Sequence, residues 1–345
     1  MESIKDIKQF GRYQISGMVG KGAMGYVFKA YDPKLDRIVA LKTLQWDSKV
    51  SELKKDHYYK RFIQEAKITG RLRHPGIVMF YDFGEENNIP YITMEFITGN
   101  DLDKMIKDKS LSIDDIKKIT TETLEALSYA HAQGIVHRDL KPGNIMISTK
   151  NEVKIADFGI AHVDDSDLTK TGSVVGSPNY MSPEQVKGRK IDNRSDLFSF
   201  GITLYYMLTG KKPFSGSNIS ETIHNVIEVN PKPPSILNDK IPEGWDYIVE
   251  KLLEKDREVR YQNCQEVIND INKMAENTDT IKNSSSTENL DNSLDIDNIF
   301  SKTINESSES NENEPEDIKL DLDYRIFIII FIIIIIFFLL YMLWR

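Results

Sequence analysis

Two short polar segments in the middle of the chain carry residue types suited to phosphate chemistry. The run His137-Arg138-Asp139-Leu140-Lys141-Pro142-Gly143-Asn144 combines a candidate base, two cations and a metal-capable amide, and Asp157-Phe158-Gly159 begins thirteen residues after Asn144. A carboxylate and an amide on neighbouring loops make an oxygen-only site suited to Mg²⁺, which takes few protein ligands and adds phosphate. For either segment alone, a surface turn is the simpler interpretation.

A glycine-rich segment near the N-terminus has the spacing of a phosphate-binding loop. It reads Gly20-Lys21-Gly22-Ala23-Met24-Gly25-Tyr26-Val27 and lies between two predicted strands. Glycines at these positions let backbone N–H groups approach phosphate oxygens without a Cβ in the way. A glycine motif of this kind also opens dinucleotide-binding helices, but here a strand pattern follows it. Taken alone, the segment is as consistent with a chance occurrence of this glycine spacing as with a phosphate-binding function.

Lys42 ends the apolar run Ala40-Leu41-Lys42. A lysine in such a position is more often a solvated charge. If it points inward it needs an anion, either an ATP phosphate or a carboxylate. Glu65, on a predicted helix, is the natural carboxylate, whereas Glu52 lies outside the apolar pattern of that helix.

The elements that must position these residues change in type along the chain. Alternating and apolar runs predict strands over 13–19, 27–31, 38–44, 77–83, 91–96 and 153–156, with a strand-like pair at Ile135-Val136. Apolar spacing predicts helices over 62–72, 113–131, 197–209, 220–229, 245–253 and 264–274. Strands first and helices later indicate an α+β chain with two lobes.

In order and spacing, these segments resemble the eukaryotic-type (Hanks-type) serine/threonine protein kinase family. The resemblance extends from about Phe10 to Met274 and is most like the bacterial, membrane-anchored members. It implies a two-lobed kinase domain at 11–276 after an N-terminal extension of residues 1–10. The β-rich N-lobe would cover about 11–96 and the larger helical C-lobe about 97–276.

The resemblance implies catalytic and metal-binding roles for four residues. Asp139 would orient the substrate hydroxyl and accept its proton, and Lys141 would offset charge on the transferring γ-phosphoryl group. Asn144 and Asp157 would bind Mg²⁺, for which Mn²⁺ can substitute. Phosphoryl transfer needs positioning and charge stabilisation more than covalent chemistry, which suits this set.

The resemblance also implies an ATP site. Lys42, paired with Glu65, would hold the α- and β-phosphates, Met94 would gate the rear of the adenine pocket, and the backbone from Glu95 to Ile97 would bond adenine. The full nucleotide set consists of Gly20, Lys21, Gly22, Ala23, Met24, Gly25, Tyr26, Val27, Ala40, Lys42, Glu65, Met94, Glu95, Ile97 and Met146.

Further positions resemble the family's architecture and its serine/threonine branch. Ser182-Pro183-Glu184 stands where the family usually has Ala-Pro-Glu, so its glutamate would pair with Arg260. Asp196 resembles the helix-start aspartate that bonds the backbone of the catalytic loop. Lys141, two residues after the candidate base, and Gly176-Ser177-Pro178-Asn179-Tyr180 are similar to the branch that phosphorylates serine and threonine.

Three hydroxyls between Asp157 and Glu184 are candidates for phosphorylation: Thr169, Thr171 and Ser173. We hypothesise that Thr169 and Thr171 are autophosphorylated, in a kinase-domain dimer, and that the phosphates order this loop by bonding Arg138. The alternative is that they are ordinary loop hydroxyls.

The C-terminal part of the chain has a different composition. Residues 277–323 hold 13 Asp and Glu against 3 Lys and few apolar side chains, which predicts a disordered acidic tether. The tether either only spaces the domain or also docks a partner. The whole chain carries a net charge of −9, so a broad basic surface for nucleic acid is not expected. The one cysteine, Cys264, excludes an internal disulfide.

Residues 326–344 form an uncharged run dominated by Ile, Phe and Leu. As a helix it would span about 28 Å, close to the hydrocarbon thickness of a bilayer. A buried core helix is the alternative, but only Arg345 follows the run in the sequence. We therefore expect a single-pass C-terminal tail anchor in contact with the lipid bilayer, with the kinase domain on the cytoplasmic side where ATP is present.

Three functions remain in competition. An active protein kinase with Ser/Thr protein substrates is favoured because every catalytic position is filled. A catalytically silent pseudokinase, acting as a membrane-tethered binding module, is the alternative. A phosphotransferase acting on a small molecule is less favoured, because such relatives usually lack the glycine loop and the Ser-Pro-Glu segment together.

Overall fold

The computed structural model of the chain describes residues 8–21, 25–44, 52–158 and 178–287. The chain divides into two compact units, Met1–Lys282 and Asn283–Arg345. All the elements below belong to the first unit, except for the end of the last helix. Of the second unit, only that helix end is described.

A six-stranded antiparallel sheet occupies the N-terminal third, in the order β1-β2-β3-β4-β6-β5. Its strands are β1 Gln9–Phe10, β2 Tyr13–Lys21, β3 Gly25–Asp32, β4 Arg37–Leu44, β5 Phe80–Glu86 and β6 Ile89–Glu95. Helix α1, Glu52–Thr69, lies between β4 and β5 in the chain. β3 pairs with β4 residue by residue along its whole length, which places the end of the glycine-rich segment beside Lys42.

Each face of this sheet has an apolar cluster of its own. Phe62 and Ala66 of α1 pack with Leu44 and Ile92 of the sheet. A second cluster contains Phe10, Tyr13, Phe28, Ala30, Val39 and Leu41. Alternate residues of a strand point to opposite faces, so β4 contributes Val39 and Leu41 to one cluster and Leu44 to the other.

The second part of the chain is helical, apart from a small three-stranded sheet in the order β7-β8-β9. The strands are β7 Gly99–Asp101, β8 Ile145–Ser148 and β9 Val153–Ile155. The helices are α2 Leu102–Lys107, α3 Ile113–Ala132, α4 Pro183–Val186, α5 Asn193–Thr209, α6 Ile219–Glu228, α7 Pro234–Leu237, α8 Gly244–Leu252 and α9 Cys264–Thr287. A sheet-rich first lobe and a helical second lobe confirm the predicted α+β architecture.

Helix α5 is the central element of the helical lobe. Every residue from Ser195 to Leu208 is buried, so the helix is enclosed on all sides by its neighbours. A helix that is apolar all round must be surrounded by protein, and α5 contacts α3, α7 and α8. Its N-terminus, capped by the Asp192 side chain, therefore gives a fixed platform to the loops that lie on it.

The structure corrects two predicted elements in the functional region. Ile135-Val136 is not a strand, because the Ile135 amide donates to Ala130 O and closes the end of α3. Helix α1 begins at Glu52, ten residues before the predicted start at Phe62. Its first turns, ELKKDHYYKR, carry no continuous apolar stripe, so hydrophobic spacing could not reveal them.

The boundary of the acidic tether is also corrected. Helix α9 continues to Thr287, past the predicted start of the tether at residue 277. No glycine or proline interrupts the sequence from Cys264 to Thr287, and its polar end has no apolar spacing to mark it as helical. Residues 288–323 and the predicted membrane span at 326–344 lie outside the described residues. Within the described ranges, no helix combines the length and apolarity needed to cross a bilayer.

Candidate active site

The predicted catalytic loop brings three polar side chains together after α3. Lys141 Nζ lies 2.5 Å from Asp139 Oδ2, and Asn144 Nδ2 donates to the Asp139 backbone carbonyl at 2.9 Å and to Oδ2 at 3.4 Å. Asn144 is buried within a short 3₁₀ turn, Pro142–Asn144. The turn therefore holds a carboxylate, an ammonium group and an amide in one cluster.

The Asp196 carboxylate, at the start of α5, holds the backbone of this loop. Its Oδ2 accepts from the His137 amide at 2.7 Å and its Oδ1 from the Arg138 amide at 2.8 Å. Arg138 has φ +65°, a left-handed conformation that costs a non-glycine residue free energy and must be compensated. The two charge-assisted hydrogen bonds supply that compensation.

His131 completes the environment of Asp196, with Nε2 2.8 Å from Oδ2. Burial alone would raise the pKa of Asp196, but the hydrogen bond and charge of His131, with the His137 amide, outweigh it and lower the pKa. On the other side of the ring, Cys264 Sγ of α9 lies 3.6 Å from His131 Nδ1. Burial raises the pKa of Cys264 to about 12, so the thiol remains protonated.

Asp157 follows β9 with φ +53°, again a left-handed conformation at a non-glycine residue. Its Oδ1 accepts from Lys42 Nζ of β4 at 2.9 Å. The carboxyl group keeps 41% of its surface exposed although protein encloses its other sides. Enclosure raises the pKa of Asp157, and the charge and hydrogen bond of Lys42 lower it by more, so the net shift is downward.

His137 joins the two loops. Its Nε2 lies 3.1 Å from Ala156 O, and its ring is 4.7 Å from the ring of Phe158, which is fully buried. The Ala156 amide also donates to Asn144 O at 2.8 Å. The loops that carry Asp139 and Asp157 are therefore fixed relative to one another.

The sheet places part of the glycine-rich segment beside Lys42. Gly20 and Lys21 end β2, while Gly25, Tyr26 and Val27 begin β3, where Val27 pairs with Lys42. Gly22, Ala23 and Met24 lie outside the described residues. Glu65 belongs to α1, but its side chain is outside the described part of the chain, so its pairing with Lys42 stays a prediction.

The predicted hinge lies at the end of β6. Met94 pairs with Ala40 across the sheet, and Ile97 follows the strand. The Glu95 carboxylate is bound by Lys154 of β9, with Nζ–Oε distances of 2.8 and 3.0 Å. Met146 of β8 pairs with Lys154 in the small sheet. The candidate hinge is thus connected through one ion pair to the strand that leads to Asp157.

A small apolar cavity of about 20 Å³ lies beside Met94. Helix α1, strands β5 and β6, the segment before β5 and the Asp157 loop border it. Its lining consists of Ala66, Thr69, Val78, Phe80, Ile92, Met94 and Asp157. Met94 is part of this wall, and its place at the rear of an adenine pocket stays a prediction.

The segment after residue 177 is fixed to the helical lobe by a buried ion pair. Arg260 Nη1 and Nη2 lie 2.9 and 3.3 Å from the two Glu184 carboxylate oxygens, and Ser195 Oγ donates to Oε1 at 2.6 Å. Burial raises the pKa of Glu184, but its bonds to Arg260 and Ser195 lower it by more. Gln185 Nε2 donates to Arg138 O at 2.7 Å. The predicted Glu184–Arg260 pair is confirmed.

The polar cluster fits a divalent cation that takes few protein ligands. Within the described ranges, no group of three or more His, Cys, Asp and Glu side chains could hold a metal. Asn144 directs its amide nitrogen to Asp139, which leaves Oδ1 as its remaining polar atom, and Asp157 uses Oδ1 for Lys42. One amide oxygen and one carboxylate oxygen are thus the protein ligands that Mg²⁺ would use, with phosphate oxygens completing its shell.

Comparison with known families agrees with this geometry. The model of the protein kinase domain matches residues 13–271, which is most of the chain. This chain belongs to the protein kinase family. The match includes both lobes and every catalytic-loop residue described above.

Bacterial protein kinases are among its relatives. The probable serine/threonine-protein kinase PknB of Bifidobacterium longum is 41% identical over 274 residues, which cover 76% of this chain and 39% of the relative. The probable serine/threonine-protein kinase of Clostridium acetobutylicum is 36% identical over 314 residues, covering 90% and 45%. This chain therefore spans about two fifths of the length of these curated relatives.

Solved kinase domains share the fold. The crystal structure of the PknI kinase domain of Mycobacterium tuberculosis superposes with a TM-score of 0.61 at 26% identity. The superposition covers 77% of this chain and 97% of that one. The two-lobed protein kinase fold is therefore confirmed for the part of the chain that the structure describes.

The structure brings five of the predicted kinase residues into two side-chain clusters. Asp139, Lys141 and Asn144 form one cluster, and Lys42 and Asp157 form another, with Asp196 in its predicted position. Thr169, Thr171 and Ser173 lie outside the described residues. Sequence reasoning missed three supporting residues, His131, Gln185 and Lys154. Each acts through a contact with a distant part of the chain, and no local pattern signals such a contact.

Proposed function

We propose that this chain is a serine/threonine protein kinase that transfers the γ-phosphoryl group of ATP to hydroxyl groups of proteins. The observation that carries the proposal is the Asp139–Lys141–Asn144 cluster on a loop fixed by Asp196. The names of the relatives support the serine/threonine class.

Asp139 is the group that would orient the substrate hydroxyl and take its proton. Its Oδ2 already accepts from Lys141 Nζ, so the lysine holds the carboxylate in place and supplies positive charge where the phosphoryl group would lie. Asn144 restrains the same carboxylate from the other side. Positioned acid–base and charge-stabilising groups of this kind carry most of the catalysis in phosphoryl transfer.

The N-terminal lobe offers a fitting place for the triphosphate. A Cβ built on Gly20 would meet no protein atom within 4 Å, so packing in the described protein does not require glycine there. Close approach of a phosphate would require it. Lys42 would bind the phosphates, and Asn144 and Asp157 would bind Mg²⁺, which neutralises phosphate charge when bound. The Glu95 amide already donates to Met79 O, so adenine would use other hinge backbone groups, including those of Ile97.

Transfer of radiolabelled phosphate from ATP to protein tests the proposal directly. Asp139→Asn keeps the size of the side chain but removes the base, so labelling should fall at least about a hundredfold, as for loss of general base catalysis. Asp239→Asn, at an exposed loop position, is the matched control and should label like the wild type. Equal labelling by wild type and Asp139→Asn, or none by either, would favour the pseudokinase alternative.

We further propose that Thr169 and Thr171, with Ser173 as a third candidate, are autophosphorylated. An intermolecular reaction in a kinase-domain dimer predicts a rate per molecule that rises with protein concentration. Active protein is incubated with Mg-ATP at several protein concentrations. Phosphopeptide mass spectrometry then measures which of the three residues are phosphorylated and how fast each is phosphorylated per molecule. Active protein that carries none of the three phosphates would contradict this proposal.

We also propose that residues 326–344 anchor the chain to a membrane, with the kinase domain on the cytoplasmic side. Their unbroken apolar composition supports this proposal. In fractionated cells, the full chain should be found with the membranes and a chain ending at residue 323 in the supernatant. An unchanged distribution would argue against the anchor.

A further inference from the structure

The turn that follows α4 presents three cations to solvent. Lys187, Arg189 and Lys190 line this turn, and Gly188 between them has φ +61°, which turns the chain sharply. The Arg189 amide donates to Glu184 O at 2.8 Å, and Arg257 Nη1 donates to Lys190 O at 2.7 Å. The backbone of the turn is therefore fixed at both ends while its charged side chains face outward.

These charges are not neutralised within the described protein. Among the described residues, Lys187, Arg189 and Lys190 have no ion pair, and the carboxylates that flank the turn are already engaged. Glu184 is paired with Arg260, and Asp192 is paired with Arg194 and Arg257. Within the described part of the chain, the turn therefore carries three positive charges that its two flanking carboxylates do not neutralise.

Lys255 lies within electrostatic range of the turn. Burial, together with the positive charges of Arg260 and Lys187, lowers the pKa of Lys255 to about 8. The carboxylates of Glu254 and Glu228 oppose the shift. The charge of Lys255 is thus balanced by its own acidic neighbours, and the three exposed cations of the turn are the ones that attract anionic groups of a partner.

The turn is close to the catalytic loop. Gln185 Nε2 donates to the carbonyl of Arg138, the residue before Asp139. Lys187 is two residues after Gln185, so their Cα atoms are at most about 7.6 Å apart. An extended peptide covers about 13 Å in four residues. A substrate with its hydroxyl at Asp139 can therefore reach the turn with residues only a few positions away.

We propose that Lys187, Arg189 and Lys190 form a recognition surface for acidic residues of protein substrates, near the serine or threonine that is phosphorylated. This inference rests on the proposed kinase function and names the substrate class. Three exposed ion pairs, each of modest strength, together change binding by about tenfold. Aspartate and glutamate side chains are the ligands because the surface offers separate flexible cations rather than one enclosed pocket.

Binding of a designed peptide pair to the full chain in neutral detergent is the primary test. Each fluorescent peptide carries one threonine in an alanine frame, flanked on both sides by three glutamates in one peptide and by three glutamines in the other. By fluorescence anisotropy, the wild type should bind the glutamate peptide about tenfold more tightly, and added salt should remove the difference. The triple variant Lys187→Glu, Arg189→Glu, Lys190→Glu should lose this preference.

A charge-matched control separates local recognition from net charge. The triple variant Lys150→Glu, Lys232→Glu, Lys240→Glu changes three other exposed lysines and should keep the preference. Equal binding of both peptides by the wild type, or the same loss in both triple variants, would overturn the proposal. In phosphorylation assays the preference should appear in KM for the peptide rather than in kcat. Because anisotropy needs no turnover, it gives a result even if the proposed activity fails, and the Asp139→Asn assay tests that activity separately.

Discussion

The Lys42 ammonium group on β4 lies 2.9 Å from Asp157 Oδ1 and so joins the N-terminal sheet to the loop after β9. The two residues are 115 positions apart in the sequence. The contact links the candidate phosphate-binding lysine with a candidate metal ligand. Charge at one residue therefore controls the protonation of the other.

Replacing Lys42 by methionine should weaken Mg-ATP binding and make it more sensitive to acid. Lys42 holds the pKa of Asp157 below its ordinary value, so its removal lets burial raise that pKa. The carboxylate needed for Mg²⁺ is then lost at a higher pH than in the wild type. When Mg-ATP affinity is measured between about pH 4 and 7, the loss of affinity on the acidic side should occur at a higher pH in the variant than in the wild type.

Lys29→Met is the control for this prediction, because Lys29 is an exposed lysine on the neighbouring strand β3. It should lose Mg-ATP affinity at the same acidic pH as the wild type. If Lys42→Met also loses affinity at the wild-type pH, Lys42 does not set the Asp157 pKa.

Asp196→Asn should disturb the catalytic loop more than its small change in size suggests. The carboxylate accepts from the amides of His137 and Arg138 and faces His131. An asparagine has one acceptor oxygen, so its NH₂ group would face a backbone donor. Loss of a hydrogen bond to a charged acceptor costs about 1.5–3 kcal/mol. We expect a loss of that size in urea unfolding and a fall in kcat of at least about tenfold.

The result for Asp196→Asn has to be separated from general destabilisation. Asp192→Asn, at the cap of the same helix, alters the ion pairs with Arg194 and Arg257, and among the described residues Asp192 has no side-chain bond to the catalytic loop. It should lose stability with little effect on the kcat of the folded protein. Equal falls in kcat for both variants would show that Asp196 does not act through the loop.

Arg260→Met should be strongly destabilising at neutral pH. It leaves the buried Glu184 carboxylate without its bidentate partner, and breaking a buried pair from one side typically costs about 3–5 kcal/mol. The double variant Glu184→Gln, Arg260→Met removes the unpaired charge as well and should recover part of the loss. Chemical unfolding of the wild type and both variants measures their free energies of unfolding. A double variant that is less stable than Arg260→Met would contradict the predicted recovery.

The same pair predicts how stability depends on pH. The folded pKa of Glu184 lies below its unfolded value of 4.5, so its contribution is fully present above that pH and is lost as pH falls through the folded pKa. In the double variant this contribution is absent. The difference in unfolding free energy between wild type and double variant should therefore shrink below about pH 4.5.

The sequence grouped the candidate catalytic residues better than it predicted the contacts that hold them. Asp139, Lys141 and Asn144 are close together in the chain, so the family pattern could be matched to all three within one short segment. Pairings with distant partners needed the family pattern, as for Glu184 with Arg260, or were missed, as for His131 with Asp196. Residue types along the chain contain no local signal for such tertiary contacts.

The ends of strands and helices were predicted well only where the sequence has a periodic apolar pattern. Strands β3 and β4 were found within two residues because half-buried strands alternate in polarity. The polar ends of α1 and α9 were missed because a helix without an apolar stripe leaves no periodic pattern. Propensity and the absence of glycine or proline allowed a helix there but did not require it.

Thr123→Val should stabilise the protein, although it removes a polar group. The Thr123 hydroxyl on α3 is fully buried, and within the described ranges it has no hydrogen-bond partner. Desolvating such a group without compensation costs about 1–3 kcal/mol. Valine has nearly the same shape, so we expect an increase of about 1 kcal/mol in the free energy of unfolding in urea.

Thr121→Val on the same helix is the matched control. Its hydroxyl donates to Lys117 O at 3.1 Å, so valine should bring no gain there and can lose the value of that bond. Helix propensity is nearly equal for threonine and valine, so it cancels in the comparison. If both variants gain equally, a general preference of α3 for valine is responsible. If Thr123→Val loses stability, its hydroxyl is bonded in solution, and ordered water is the partner that would explain it.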